Sequence, residues 1–173
     1  LVPERILDTR AGNGAPAVRV GPDGQVDLQV AGRGGVPSTG AGAVVLNVTG
    51  VAATQASFVT VWPTGAQRPA ASNLNVAPGD TVPNLVVAKL GAGGRVSLFN
   101  RFGEIDLVVD VAGWFPEGAG LEPLVPDRIL DTRAGNGAPA ARVGPDGQID
   151  VQIAGRGGVP AAGVGAVVMN VTA

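Results

Sequence analysis

Short apolar stretches, separated by turn residues, follow one another along the whole chain. Residues 57–62, SFVTVW, alternate polar and apolar side chains, a pattern typical of a β-strand. Residues 43–51, AVVLNVTGV, begin with a continuous apolar run, which predicts a strand buried on both faces. Three further stretches, at 84–90, 95–100 and 105–111, are separated by glycine-containing turns and predict an antiparallel meander.

The segment GPDG at 21–24 lies between two apolar-rich stretches, AVRV and QVDLQV. Pro22 suits the second position of a tight turn and Gly24 suits a positive φ, so this region predicts a hairpin. No stretch of useful length repeats apolar residues at helical spacing. The expected fold class is therefore all-β, an antiparallel β-sandwich or partly closed barrel with about eight or nine short strands per unit.

The unit itself is visible as a repeat. The stretch RILDTRAGNGAPA occurs at 5–17 and again at 128–140, and residues 1–50 align without a gap on residues 124–173 with only ten differences. Substitutions that keep charge sign or apolar volume are tolerated by most folds. The changes of this kind are Glu4 to Asp127, Val26 to Ile149, Leu28 to Val151, Val30 to Ile153 and Leu46 to Met169.

The repeat divides the chain into named segments. Residues 1–123 form one complete repeat, and residues 124–173 are the first part of a second. We call residues 1–50 the first front segment, residues 51–123 the back segment and residues 124–173 the second front segment. The folding unit is either the complete repeat or the permuted stretch 51–173, and the sequence leaves both alternatives open.

The repeat period is longer than the roughly 20 to 50 residues of solenoid repeats, so each unit is expected to be a small domain in a tandem array. The stretch PEGAGLEPLVP at 116–126 is the predicted linker, because its proline and glycine residues prevent regular strand pairing.

Composition narrows the chemistry that the chain can support. It contains no cysteine and no histidine, which removes thiol nucleophiles, imidazole bases and the usual transition-metal ligands. We therefore expect no enzymatic activity, no cofactor and no metal site. The net charge of -2, without a basic cluster, argues against a nucleic acid partner. No apolar run approaches the roughly 20 residues that span a bilayer, so no membrane span is expected.

Acidic and basic residues recur in the DTR motif and in the last predicted strand. We interpret them as structural ion pairs, with Asp110 neutralised most simply by Arg10. The alternative, a pair of carboxylates that hydrolyses a glycosidic bond, also needs a cleft and a raised pKa that no sequence shows. The candidates are Arg5, Asp8, Arg10, Asp106, Asp110, Arg128, Asp131 and Arg133.

Two tryptophans and one acidic turn are the remaining candidates for binding. Trp62 and Trp114 each lie near a proline and could stack on sugar rings or anchor a protein interface, or they could close the ends of a core that is poor in bulky residues. Asp23 and Asp27 lie in a turn that could bind Ca²⁺, but two acids are fewer than a calcium loop needs, and Asp23 is better explained as a turn cap.

Seven stretches together carry a family resemblance: RILDTRAG, AVVLNVTGV, FVTVWPTG, RPAASNLNV, NLVVAKL, GRVSLFN and DLVVDVAGWF. In this order they resemble a tandem-repeat module of secreted and cell-surface proteins of high-GC bacteria. The resemblance covers nearly the whole chain, and DTR, SNLN and DVAGWF carry most of it. It implies an extracellular or cell-surface location, arrays of such units and neighbouring wall-associated or carbohydrate-active domains. It implies no catalytic residue.

The expected function is that of a non-catalytic structural repeat module in a stalk, fibre or surface assembly. Its expected partners are other copies of the same repeat, in a homopolymer or a tandem array, and strand exchange between units is one way to join them. The alternative function is adhesion through binding of cell-wall or host polysaccharide.

Overall fold

The computed structural model describes residues 1–172, and within them it contains eight β-strands and no helix. β-branched residues and short apolar runs favour extended backbone, and glycine and proline end each run. The strands are β1 (Glu4–Asp8), β2 (Gly24–Gln29), β3 (Ala41–Val51), β4 (Ser57–Pro63), β5 (Leu74–Val76), β6 (Thr81–Lys89), β7 (Arg95–Asn100) and β8 (Asp106–Pro116).

The strands form two four-stranded antiparallel sheets. One sheet has the order β1-β8-β3-β6 and the other has the order β2-β7-β4-β5. The sheets enclose an aliphatic core in which residues such as Leu7, Leu46 and Leu98 are fully buried. The predicted antiparallel β-sandwich is confirmed, and the two sheets do not close into a barrel.

Every strand of the first front segment pairs with the back segment. β1 pairs with β8, β2 pairs with β7, and β3 lies between β8 and β6. β3 begins in the front segment and extends one residue beyond it, to Val51. No strand ladder joins two strands of the first front segment. Within the back segment, only β4 forms ladders, with β5 and with β7.

Four local expectations were wrong. The predicted hairpin does not form, because β2 pairs with β7 while Val20 makes only an isolated bridge to Ile105. The turn at GPDG does form, but the positive φ falls on Asp23, at 53°, and not on Gly24. The back segment is not a meander either, since β6 lies in one sheet while β5 and β7 lie in the other.

The fourth concerns β3, which is central in its sheet but not buried on both faces. Its inward residues, such as Val44, Leu46 and Val48, are fully buried, whereas the alternate residues Val45, Asn47 and Thr49 are partly exposed. A continuous apolar run therefore marked a central strand of an antiparallel sheet whose outer face meets solvent.

The chain divides into two compact units. The main unit comprises Leu1–Val125 and the described residues from Asn170 onward. Within it, Asn170 donates to the Ser72 carbonyl at 2.8 Å and accepts from the Asn84 side chain at 2.9 Å.

The second unit comprises Pro126–Met169 and contains turns and one isolated bridge, Asp131–Asn136, but no strand. It holds most of the second front segment. Nearly the same sequence forms three strands in the main unit, whereas it forms none in the second unit.

Candidate assembly site

The contact between the first front segment and the back segment contains most of the predicted ion-pair residues of the main unit. Arg5 and Asp110 are directly opposite each other in β1 and β8. The Arg5 Nε donates to the Asp110 carboxylate at 2.9 Å, and this hydrogen bond raises the pKa of Arg5. Arg10 does not contact Asp110, contrary to our expectation, because its side chain turns back on Asp8. Arg5–Asp110 is therefore one of the ion pairs that join the two segments.

Asp8 organises the DTR motif from within the first front segment. It is buried, and it accepts hydrogen bonds from the Arg10 side chain at 2.7 and 2.9 Å and from the Arg10 backbone N–H at 3.0 Å. These bonds, followed by the nearby positive charges, lower the pKa of Asp8 to about 2. Asp8 is therefore a charged turn residue held in place by its own neighbours along the chain.

Thr9, which the sequence analysis did not single out, joins this turn to β8. Its hydroxyl donates to the Asp106 carboxylate at 2.9 Å and accepts from the Leu107 backbone N–H at 3.0 Å. Asp106 also pairs with Arg19 at 3.4 Å. The repetition of DTR in both copies was the one signal that could have marked this threonine.

Asn100 is a second residue that sequence reasoning missed. It is fully buried in β7, and its amide donates to the carbonyls of Val20 and Gly21, each at 3.1 Å, while accepting from Ser57 at 2.7 Å. Buried amides are costly unless they are hydrogen-bonded, so Asn100 fixes the position of the first front segment's loop on the back segment.

The second front segment keeps the local part of this arrangement. Asp131 accepts from the Arg133 side chain at 2.8 and 3.0 Å and from Arg128 at 3.0 Å, and hydrogen bonding by Arg133 lowers its pKa. Asn136 donates to the Arg128 carbonyl at 2.8 Å and accepts from Arg156 at 3.0 Å. The DTR loop therefore forms in a unit that contains no strand.

The apolar residues of the second front segment are not buried as their counterparts are. Val171 is 82% exposed and Met169 is 53% exposed, whereas Val48 and Leu46 in the first copy are both 0% exposed. No residue between 126 and 172 is buried. The second front segment therefore lacks the buried apolar side chains that its first copy contributes to the core.

The tryptophans differ from each other in exposure. Trp62 is only 3% exposed and donates its indole N–H to the Ala66 carbonyl at 3.1 Å, so its ring is not available for stacking on a sugar. Trp114 in β8 is partly exposed and packs against the edge of the core. Only Trp114 therefore remains a candidate for polysaccharide contact.

The acidic turn has protein partners. Asp23 pairs with Arg101, and Asp27 accepts from Ser97 at 2.7 Å. In residues 1–172, no three acidic side chains come together as ligands for a metal ion. A surface depression of about 260 Å³ in the main unit has Glu117 as its one ionisable lining residue. It offers no pair of groups for acid–base chemistry.

No protein-family model matches the chain, and no curated protein matches it either. Across residues 1–172, the structure has no helix that could cross a bilayer.

Proposed function

We propose that this protein is a non-catalytic structural repeat module of an extracellular or cell-surface assembly such as a stalk, fibre or layer. The observation that carries the proposal is the pairing pattern of the sandwich. Each strand of the first front segment pairs only with strands of the back segment. Each unit of an array is completed by pairing one front with one back. A chain that alternates the two segments builds a row of such sandwiches.

The polar residues at the contact support a structural role. Asp106 and Asp110 each pair with an arginine of the first front segment and hold that segment in place, while Asp8 pairs with Arg10 within the segment. A general acid or base needs access to a substrate proton, and these carboxylates are instead occupied by arginine and threonine donors. The absence of cysteine and histidine from the sequence agrees with this role.

The location rests on the resemblance to repeat modules of secreted and cell-surface proteins. A surface protein without thiols also avoids oxidative mispairing. Stability in such a module comes from the aliphatic core and the buried hydrogen bonds, and it requires no disulfide.

The array can be tested by extending the chain with a second copy of the back segment after residue 173. We expect the added back to pair with the second front segment and form a second sandwich. Negative-stain electron microscopy should then show two-bead rods, and circular dichroism should show about twice the β-strand signal. The matched control carries Val167→Asp and Met169→Asp, which should leave a single bead. Single beads from the unmutated extended chain would contradict the array.

Polysaccharide binding is the second candidate, and the partly exposed ring of Trp114 favours it. If it is correct, bacterial wall polysaccharide should shift the tryptophan emission of the chain, and Trp114→Phe should remove the shift. The buried Trp62 supplies the control, since its emission should stay unchanged. A shift that persists in the Trp114→Phe variant would reject this surface.

A further inference from the structure

The second front segment has the features of a strand donor. Its DTR loop has the same ion pairs as the first copy. Its turn at residues 144–147 closes with the same 3.0 Å hydrogen bond as residues 21–24, and Asp146 has a φ of 57° where Asp23 has 53°. The loops of the second front segment thus have the conformation that they have in the first copy, and only the strands are missing.

Those strands are missing because the second unit contains no strands with which they could pair. In the main unit the counterparts of these strands pair only with β6, β7 and β8 of the back segment. The second unit contains no such strands. Isolated strands are unstable in water, because their backbone groups and apolar side chains have no partner.

Residues 1–173 contain two front segments and one back segment. If molecules that consist of residues 1–173 exchange front segments, the number of front–back pairs stays the same. Exchange between intact copies therefore adds no new front–back pairing, and a front tethered to its own back has an effective concentration on the order of millimolar.

We propose that residues 126–172 bind a back segment that has no front segment of its own, and that they form its β1, β2 and β3. The partner's chemistry is that of residues 51–123, a five-stranded half-sandwich with an open slot between β6 and β8. This proposal rests on the proposed function, because it takes the front–back contact as the joint of the assembly.

The register follows from the first copy. Gln29 is opposite Arg95 in the β2–β7 ladder, so Gln152 should lie opposite Arg95 of the partner. Asn47 is opposite Leu85 in the β3–β6 ladder, so Asn170 should lie opposite the partner's Leu85. Binding would replace the hydrogen bonds that Asn170 makes to Ser72 and Asn84 in the free chain.

The test uses full-length chains. An acceptor chain is made by placing Asp at the buried positions of both fronts, with Val44→Asp, Leu46→Asp, Val167→Asp and Met169→Asp, so that its back has no working front. The donor is the unmutated chain. The matched control donor carries only Val167→Asp and Met169→Asp, and its one working front remains on its own back.

We expect the donor and acceptor to form a 1:1 complex in analytical ultracentrifugation, and the control donor to form none. Because the chain has no native cysteine, a donor with Gln152→Cys and an acceptor with Arg95→Cys should give one disulfide-linked dimer on oxidation. An acceptor with Thr81→Cys, on β6, should not be linked to the same donor.

Three results would overturn the proposal. These are no complex with the donor, equal complex formation with the control donor, and equal linkage at positions 95 and 81. Micromolar polymers of the unmutated chain alone would identify an intact copy as the partner instead. If the extended array forms rods while donor and acceptor do not bind, the proposed function stands and the exchange fails.

A second measurement applies if the acceptor aggregates. The chain with only Val44→Asp and Leu46→Asp keeps an intact second front, which should complete the back in place of the first. It should retain a cooperative urea transition, whereas the chain with all four substitutions should have none. If both variants lack the transition, the second front segment cannot complete a back, and the proposal fails.

Discussion

Val48 and Val171 hold the same place in the two front segments, yet Val48 is fully buried and Val171 is 82% exposed. The sequences around them are nearly identical, so side-chain preference does not explain the difference. The first front segment pairs with a back segment, and residues 126–172 contain no strand. The comparison teaches that these strands form only when neighbouring strands pair with them. The loops between them form through hydrogen bonds among their own residues.

Hydrogen exchange should give the largest difference between the two copies. Backbone amides at residues 44–48 lie in the central strand β3 and should open only with global unfolding, whereas amides at 167–171 should open freely. For an unfolding free energy of about 5 kcal/mol, the amides at 44–48 should exchange at least on the order of 10³-fold more slowly than the amides at 167–171. Similar rates in the two sets, measured by NMR, would remove the distinction.

A matched truncation should separate the copies next. Leu7 is fully buried, and Leu7→Ala should lower the unfolding free energy of the main unit by about 2 to 5 kcal/mol. Leu130→Ala, the same change in the second copy, should alter it by less than about 0.5 kcal/mol, because Leu130 belongs to the second unit. Urea unfolding followed by the emission of buried Trp62 measures both. Equal losses would show that the two copies share one core.

One sequence difference between the copies can be tested by substituting the residue of the second copy into the first. Gly50 faces the core, and a Cβ there would lie 2.7 Å from the Ile105 Cδ1 atom, while the second copy has Ala173 at this position. Ala173 itself lies outside the described residues. Gly50→Ala should cost about 1 to 3 kcal/mol through overpacking.

Ile105→Val removes the clashing methyl group, so the double variant should recover most of the loss caused by Gly50→Ala. A double-mutant cycle by urea unfolding gives the coupling between the two sites. Additive losses would show that the contact does not limit packing.

The smallest expected effect concerns acid stability. The folded-state pKa of Asp8 is about 2, below its ordinary value of 3.8, so its ionised form stabilises the fold above pH 3.8. That contribution should disappear as the pH falls through about 2. Asp8→Asn should flatten this part of the pH profile, shifting the urea midpoint by about 0.5 M or less.

Asp131→Asn is the matched control for this profile. Its pKa is also lowered by hydrogen bonding, but its arginine partners lie within the second unit. The acid limb of the main unit should therefore remain unchanged in this variant. An equal flattening by Asp131→Asn would contradict the separation of the two copies.

Many of the ion pairs of the candidate site could be predicted from the sequence. The repeated DTR motif indicated ion pairs, and Asp8, Arg10, Asp131 and Arg133 form them within two residues of each other. The partner of Asp110 was misassigned, because Arg5 is 105 residues away along the chain and only the β1–β8 register brings the two together. Thr9 and Asn100 were missed for the same reason, since their partners lie far away in sequence.

The sequence by itself determined the all-β class, the turns and the internal repeat. Alternation, glycine positions and neighbouring charges act over a few residues, so they have the same effect in both copies. Only the tertiary structure decided strand order, the failure of the hairpin and meander predictions, and which copy becomes a sheet. Those outcomes depend on backbone hydrogen bonds and apolar burial between distant segments, and a front segment obtains both from a back segment.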